Sequence, residues 1–286
     1  MTTIRKPERP YGSTLGARLM ASLGQSGLRV FAIDDAKRLA AKLGIGDHHL
    51  RQLLHQLSGG SWVRRLRRGL YVLTDPAGRE QSPHPFVIAT RLVQPSVISH
   101  WSALSHHELT EQVPRDVMAW TTRKIVTPSM RTSQPQPAGR RHAWVIDGTR
   151  YQYHFTQPER LFGTEEVWIG EHDRVPITDK SRTVLDMFIS PRIFGGLSET
   201  LTVLEDHRDG IDLKRLVAYA VRYGQGAVAK RIGWALEHVG VPRSVLKPLA
   251  DLPIGGYRLL DPTRPPSGPW NARWMLRENL PRRSRA

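Results

Sequence analysis

The apolar residues near the start of the chain recur with the spacing of amphipathic helices. Residues 14–26 predict a first helix, because their leucines and one methionine fall on one side. Residues 34–44 predict a second helix with apolar positions at i, i+3, i+4 and i+7. Asp34 or Asp35 is expected to cap it, since a short carboxylate accepts hydrogen bonds from the free N–H groups of the first turn. Between the two, "LRVFAI" predicts a short extended segment.

The third predicted helix carries two regular stripes. Asp47 is expected to cap it after a glycine turn at 44–46, and "SGG" is expected to end it. Leucines recur on one face, at Leu50, Leu53, Leu54 and Leu57. Polar residues repeat the same spacing on another face, at His48, Arg51, Gln52 and His55. The helix is therefore expected to bury its leucines and to present hydrogen-bonding side chains.

Two short β-strands are predicted next, "WVRR" and "GLYVL", joined by a turn at 66–69. The order helix–helix–turn–helix–hairpin is typical of a winged helix-turn-helix, whose second turn-motif helix enters the DNA major groove. Arginine can read guanine and glutamine can read adenine, while wing arginines contact phosphates or the minor groove. The candidate DNA-binding residues are His48, His49, Arg51, Gln52, His55, Arg64, Arg65, Arg67 and Arg68. Considered alone, the third helix could be an ordinary surface helix, and "RRLRR" could be a solvated charge run. The order of three helices followed by a basic hairpin favours DNA binding.

Charge supports a polyanionic partner. The 286 residues carry a formal net charge of +16. Residues 1–80 hold 14 Lys/Arg against 6 Asp/Glu, residues 81–180 hold 11 against 10, and residues 181–286 hold 17 against 10. Both ends of the chain are therefore basic and the middle is nearly neutral, which favours nucleic acid as a partner. Arginine-rich codon usage alone would raise the total without clustering the arginines.

Several functional classes are not supported by the sequence. Cysteine is absent, so no disulfide framework or thiolate site is expected. No apolar run approaches 18 residues and no apolar stretch follows the basic start, so we expect a cytoplasmic protein without a membrane span or signal peptide. The histidines and glutamates between 100 and 111 lack the H-E-x-x-H spacing and are expected to be a helix surface or a polar contact. We therefore expect no metal, no cofactor, no catalytic residue and no enzyme.

A turn-rich segment at 74–85, "TDPAGREQSPHP", predicts a linker. We accordingly expect a winged helix-turn-helix domain at 1–80 and a larger mixed domain at 81–286. The second domain is expected to be β-rich to about residue 177 and helical afterwards, which makes the fold class α+β. Asp186 is expected to form a salt bridge or a helix cap. Near the end of the chain, an aromatic and amide group is expected to anchor the proline-rich tail, namely Trp270, Asn271 and Trp274.

Four segments resemble the AbiEi-type antitoxins of type IV abortive-infection toxin–antitoxin systems, which act in phage defence. They are "LRQLLHQLSGGSWVRRLRRGLYVL", "ISHWSALSHHELTEQVP", "VPITDKSRTVLDMFISPRIFGGLSETLTVLE" and "LLDPTRPPSGPWNARWMLRENL". The first is generic to winged helices, whereas its combination with "SAL…LTEQ" and "TVLD" is more specific. The sequence departs from the family pattern at His107-Glu108, where a His-Gly pair is expected.

The resemblance implies a winged-helix transcriptional repressor of its own operon, binding double-stranded operator DNA with inverted repeats. It also implies a C-terminal domain that neutralises a cognate nucleotidyltransferase-like toxin, directly or indirectly. One alternative is a stand-alone winged-helix regulator whose C-terminal domain senses a ligand or binds a protein. Another is an enzyme such as a nuclease targeted by the winged helix, for which the sequence offers no paired-carboxylate site.

Overall fold

A computed structural model describes residues 14–74, 82–126, 143–170 and 173–281. Most of the linker expected at 74–85 therefore lies outside the described residues. The chain divides into two compact units, of which the first comprises residues 1–94 and 168–175 and the second the remainder. The boundary thus lies later than the expected 80/81, because a fourth helix belongs to the first unit. Both helices and several sheets are present, which confirms the α+β class.

Up to residue 94, the described part of the first unit contains four helices and a three-stranded antiparallel sheet with the strand order β1-β3-β2. In chain order its elements are α1 (Leu15–Gln25), β1 (Val30–Ala32), α2 (Ile33–Lys42), α3 (Asp47–Gly59), β2 (Val63–Arg67), β3 (Leu70–Leu73) and α4 (Pro85–Leu92). The extended segment expected from "LRVFAI" is β1, which pairs with β3 through Val30 and Val72. The hairpin expected after α3 is β2–β3.

The helix caps differ in part from those expected. Thr14 caps α1, with its hydroxyl accepting from Ala17 N at 3.2 Å. Neither Asp34 nor Asp35 is the N-cap of α2, because the helix begins at Ile33 and its N-cap is Ala32; Asp35 instead lies in the first turn and accepts from the backbone N–H of Ala32 at 2.9 Å. Asp47 does not cap α3, because the helix begins at Asp47 itself and its N-cap is Gly46.

Residues from all three N-terminal helices form one core against one face of this sheet. The buried leucines of α3 belong to it, as do Leu19 and Leu23 of α1. Phe31 of β1 stacks on Tyr71 of β3, with ring centroids 5.6 Å apart, on the same face of the sheet. α4 packs against β1, so the sheet connects this core to a fourth helix.

The remaining elements include a six-stranded mixed sheet with the strand order β6-β7-β5-β4-β9-β8. In chain order they are β4 (Ser96–Ile98), α5 (His100–His106), β5 (Asp116–Thr121), β6 (Ala143–Ile146), β7 (Thr149–Phe155), β8 (Thr164–Ile169), β9 (Asp173–Thr178), α6 (Lys180–Ile189), α7 (Leu197–Asp206), α8 (Leu213–Tyr223), α9 (Gly226–His238), α10 (Arg243–Asp251), β10 (Arg258–Leu259), β11 (Trp270–Asn271) and β12 (Leu276–Arg277). Strands thus give way to helices after Thr178, close to the change expected at 177, but three short strands follow α10 and were not expected.

α5 ends in a turn that fixes two polar residues. The buried imidazole of His107 donates from Nε2 to the carbonyl oxygen of Thr178 at 2.6 Å, which ties the end of α5 to the end of β9. Leu109 N donates to Leu104 O, and this closure places Glu108 at a φ of +58°. A residue that ends a helix in this left-handed conformation is usually glycine. Glu108, which stands where the AbiEi-type pattern has glycine, is therefore a position of backbone strain.

The chain after α10 forms a small sheet with the order β10-β12-β11. Trp274 anchors it as expected: its side chain is fully buried, and Nε1 donates to Glu237 Oε2 at 2.6 Å. A Cβ on Gly233 would lie 2.0 Å from this indole, so only glycine admits the ring against α9. Asn271 supports the anchor by accepting from Trp274 N. The expectation was wrong for Trp270, whose side chain is 59% exposed.

None of the described helices combines the length and the apolar composition that a membrane crossing requires.

Candidate nucleic-acid interface

α3 separates its apolar and polar residues as the spacing predicts. Its four leucines are at most 7% exposed, and full burial of such a side chain stabilises the fold by about 1.5–3 kcal/mol. All five candidate residues on the helix are exposed, namely His48, His49, Arg51, Gln52 and His55. Gln56 is also exposed and follows Gln52 by one turn. Sequence reasoning omitted Gln56, although the i, i+4 spacing would have found it.

The acidic residues near this surface are already paired. Residues 14–74 contain three carboxylates, those of Asp34, Asp35 and Asp47. Lys37 of α2 lies 3.8 Å from Asp34 and 3.5 Å from Asp47, while Arg38 pairs with Asp35. Two basic residues of α2 therefore offset these carboxylates, and the arginines of α3 and β2 account for the positive charge of this surface.

The hairpin distributes its arginines over both faces of the sheet. Directly opposed residues of an antiparallel pair share a face. Arg65 opposes Tyr71 and therefore shares the face that packs against the three N-terminal helices. Arg64 opposes Val72 and lies on the other face. Arg68 is exposed in the turn between the strands, where Gly69 adopts a φ of +76°.

The side chain of Arg67 is hydrogen-bonded to the end of α4. An irregularity of register between Arg65 and Arg67 shifts the chain by one residue, so Arg67 opposes Leu70 instead of following Arg65 on its face. Its Nε donates to the carbonyl oxygen of Leu92 at the end of α4, at 3.0 Å. Arg67 thus holds α4 to the hairpin, and its expected contact with DNA stays a prediction.

The arrangement joins a helix with an exposed polar stripe to a basic hairpin. α3 and β2 are in contact, so the stripe and the hairpin form parts of one structure. A helix of this kind fits the major groove of B-DNA, which is about 12 Å wide. Guanidinium groups at the hairpin turn provide point contacts for phosphates or for the adjacent minor groove. The helix and the hairpin thus present different groups, a hydrogen-bonding stripe on α3 and separate guanidinium charges on the hairpin.

The second unit contains a separate buried polar cluster. Arg182 Nε and Asp186 Oδ1 of α6 form a salt bridge of 2.8 Å in which both side chains are fully buried, as expected for Asp186. Trp120 Nε1 donates to the other carboxylate oxygen at 2.8 Å. Burial raises the pKa of the Asp186 carboxyl, although Arg182 opposes the shift. Because these groups are closed to solvent, we interpret the cluster as a structural one.

His100 lies beside this cluster and is also fully buried. Its Nδ1 lies 2.7 Å from the hydroxyl oxygen of Ser99, and its ring lies 4.4 Å from that of His154, centroid to centroid. Burial lowers the pKa of His100 well below its usual value, and His154 and Arg182 lower it further. The imidazole is accordingly neutral at physiological pH. Over the described ranges, no three histidine or carboxylate side chains are grouped so that they could hold a metal ion.

Comparisons with known proteins show a likeness of fold. No protein-family model matches the chain, and no curated protein matches it. The crystal structure of the RV2827C protein from Mycobacterium tuberculosis is similar, with a TM-score of 0.59 over 93% of this chain and 90% of that chain, at 14% sequence identity. At this identity the likeness concerns the fold alone and says nothing of activity.

Proposed function

We propose that the first unit is a winged helix-turn-helix that binds duplex operator DNA. In this proposal α2 and α3 form the turn motif, α3 enters the major groove, and β2–β3 is the wing. The observation that carries it is the division of α3 into a buried leucine face and an exposed polar face beside a basic hairpin. The three carboxylates of residues 14–74 are paired to α2, which leaves this surface suited to a polyanion.

The whole chain is, in this proposal, a non-enzymatic antitoxin of the AbiEi type. It represses its own operon through the first unit and neutralises a nucleotidyltransferase-like toxin through the second. The operon and toxin assignments rest on the sequence resemblance, whereas the DNA assignment also rests on the geometry of α3 and the hairpin.

Base readout by α3 tests the proposal. Arg51→Ala and Gln52→Ala should each weaken binding to the promoter region of the chain's own operon, because a good bidentate base contact discriminates by about 1–3 kcal/mol. Binding to random duplex DNA of the same length should change little. Electrophoretic mobility shifts or fluorescence anisotropy at one fixed salt concentration measure both affinities.

Arg18→Ala is the matched control, since Arg18 is an exposed arginine of the same unit on α1. It should leave both affinities unchanged. If Arg51→Ala and Gln52→Ala lowered the two affinities equally, α3 would not read sequence, and the proposed recognition helix would be wrong.

A further inference from the structure

The small C-terminal sheet exposes two aromatic rings on one face. Trp270 is 59% exposed and Tyr257 is 40% exposed, and their ring centroids lie 4.9 Å apart at an interplanar angle of 72°. Trp270 of β11 directly opposes Arg277 of β12, so the two side chains share a face of the sheet. The guanidinium carbon of Arg277 lies 5.0 Å from the Trp270 ring centroid. The face therefore combines exposed aromatic rings with a cation.

This aromatic face is held on a rigid support. Trp274, between β11 and β12, is buried against α9 and bonded to Glu237. A Cβ on Gly268 would lie 2.0 Å from the carbonyl oxygen of Glu278, so glycine is needed where the chain enters β11 beside that carbonyl. Asn279 is buried and donates to Asp261 O at 2.8 Å. The rings of Tyr257 and Trp270 are thus presented by an ordered platform, which lowers the entropic cost of binding.

The charge around the aromatic face is positive. Residues 255–281 contain four arginines and two carboxylates. Asp261 is fully buried and accepts from Leu197 N at 3.0 Å. Glu278 accepts from Trp234 Nε1 at 2.8 Å and from the Asn271 amide at 2.7 Å. Arg264 pairs with Asp261 at 3.5 Å and Arg273 with Glu237 at 3.4 Å, so the positive charge on the aromatic face is that of Arg277.

We propose that this face, formed by Tyr257, Trp270 and Arg277, binds single-stranded nucleic acid. Unpaired bases stack on the two aromatic rings, and Arg277 contacts a phosphate. This combination of aromatic platforms and cations is how proteins bind single strands without reading sequence. Duplex DNA keeps its bases stacked inside the helix, so the site differs in ligand from the interface proposed on α3. An acidic peptide would use the charges and leave the rings without a stacking partner.

Fluorescence anisotropy on the full chain tests the site, with labelled twelve-residue oligouridine and oligothymidine as probes. Trp270→Ala should weaken binding of the single strands by about tenfold or more, since one base loses its stacking partner. Trp270→Phe should retain most of the affinity, because it keeps an aromatic ring. Affinity for duplex operator DNA should be the same in all variants, which separates this site from the one on α3 and β2. A loss confined to one of the two oligomers supports the site and identifies its natural ligand as RNA or DNA.

Trp168→Ala is the matched control. Trp168 is 62% exposed and has the guanidinium of Arg174 5.3 Å from its ring centroid, but it follows Glu165 and Glu166 in β8. Its removal should change single-strand affinity by less than about twofold, as is usual for an isolated surface substitution. The proposal is overturned if Trp270→Ala causes no loss, or if both tryptophan variants lose equally. It is also overturned if Trp270→Ala leaves the affinity for both oligonucleotides unchanged and weakens only the binding of a labelled twelve-residue polyglutamate peptide. The face would then bind an acidic partner.

Discussion

Glu108 shows how a single residue can carry strain that the surrounding fold enforces. It follows the last turn of α5 at a φ of +58°, and the left-handed conformation costs an L-residue about 1–2 kcal/mol. Glu108→Gly should therefore raise the free energy of unfolding by about 0.5–1 kcal/mol, after the greater flexibility of glycine in the unfolded chain is subtracted. Chemical denaturation measures the difference.

Glu111→Gly is the appropriate comparison, because Glu111 is exposed nearby and does not have a positive φ. It should leave stability unchanged or lower it. A loss of stability in Glu108→Gly would show that the carboxylate itself contributes more than the backbone strain costs.

His100 gives the fold a pH dependence of known sign. Its pKa in the folded chain lies well below 6.5 because of burial, with His154 and Arg182 adding to the effect. The unfolded chain, with a pKa near 6.5 at this residue, therefore binds more protons as the pH falls below about 6.5, and the unfolding free energy falls by up to about 1.4 kcal/mol per pH unit. His100→Asn should reduce this slope between pH 6.5 and 5, because asparagine tolerates the φ of +56° and does not titrate. Thermal or urea unfolding across this range measures the slope, and an unchanged slope would mean that other groups cause it.

At the scale of elements, regular spacing could be predicted from the sequence, and local irregularities could not. Periodicity placed the leucine and polar faces of α3 correctly, because an uninterrupted helix repeats its contacts. The irregularity between Arg65 and Arg67 has no such signature, since it depends on how β2 pairs with β3. The prediction for Trp270 was wrong for a related reason. A large aromatic side chain suggests burial, but the pairing of β11 with β12 places Trp270 beside Arg277 on the exposed face of the sheet.

The division of the hairpin arginines leads to a prediction with a charge-matched control. If the proposed wing contacts phosphates, Arg65→Ala with Arg68→Ala should flatten the slope of log affinity against log salt by about 1–2 units, since each phosphate contact contributes about 0.9. Arg64→Ala with Arg67→Ala removes the same charge from the face opposite to that of Arg65 and should flatten the slope less. Titrations of duplex DNA at three or four salt concentrations measure both slopes. Equal slopes in the two double variants would contradict the assignment of faces, and an unchanged slope in both would mean that "RRLRR" is a solvated charge run.

At the scale of the whole molecule, composition indicated two parts but placed the boundary too early. The turn-rich segment at 74–85 suggested that the first domain ends near residue 80. α4 follows that segment and still belongs to the first unit, because Val87, Ile88 and Leu92 are buried and Arg67 binds the end of the helix. Sequence composition reports where a chain is rich in turns, whereas a domain boundary depends on where the next apolar face packs.

This boundary determines which fragments of the chain should fold. A fragment of residues 1–94 should unfold cooperatively and bind duplex DNA. A fragment of residues 1–83 should be much less stable, because loss of α4 removes the three large buried side chains of Val87, Ile88 and Leu92, each contributing about 1.5–3 kcal/mol. The longer fragment should itself melt below the full chain, since residues 168–175 also belong to the first unit. Thermal melts followed by circular dichroism compare the three proteins.

The same fragments separate the two proposed activities. Co-expression of residues 1–94 with the product of a neighbouring toxin gene should leave growth inhibited, whereas the full chain should restore growth. Residues 95–286 should restore growth at least in part, because neutralisation is assigned to the second unit, and should not bind the operator. A full chain carrying Arg51→Ala is the control, since it should lose operator binding and keep neutralisation when expressed from an independent promoter. Restored growth with residues 1–94 alone would place neutralisation in the first unit and would contradict the proposed division between the two units.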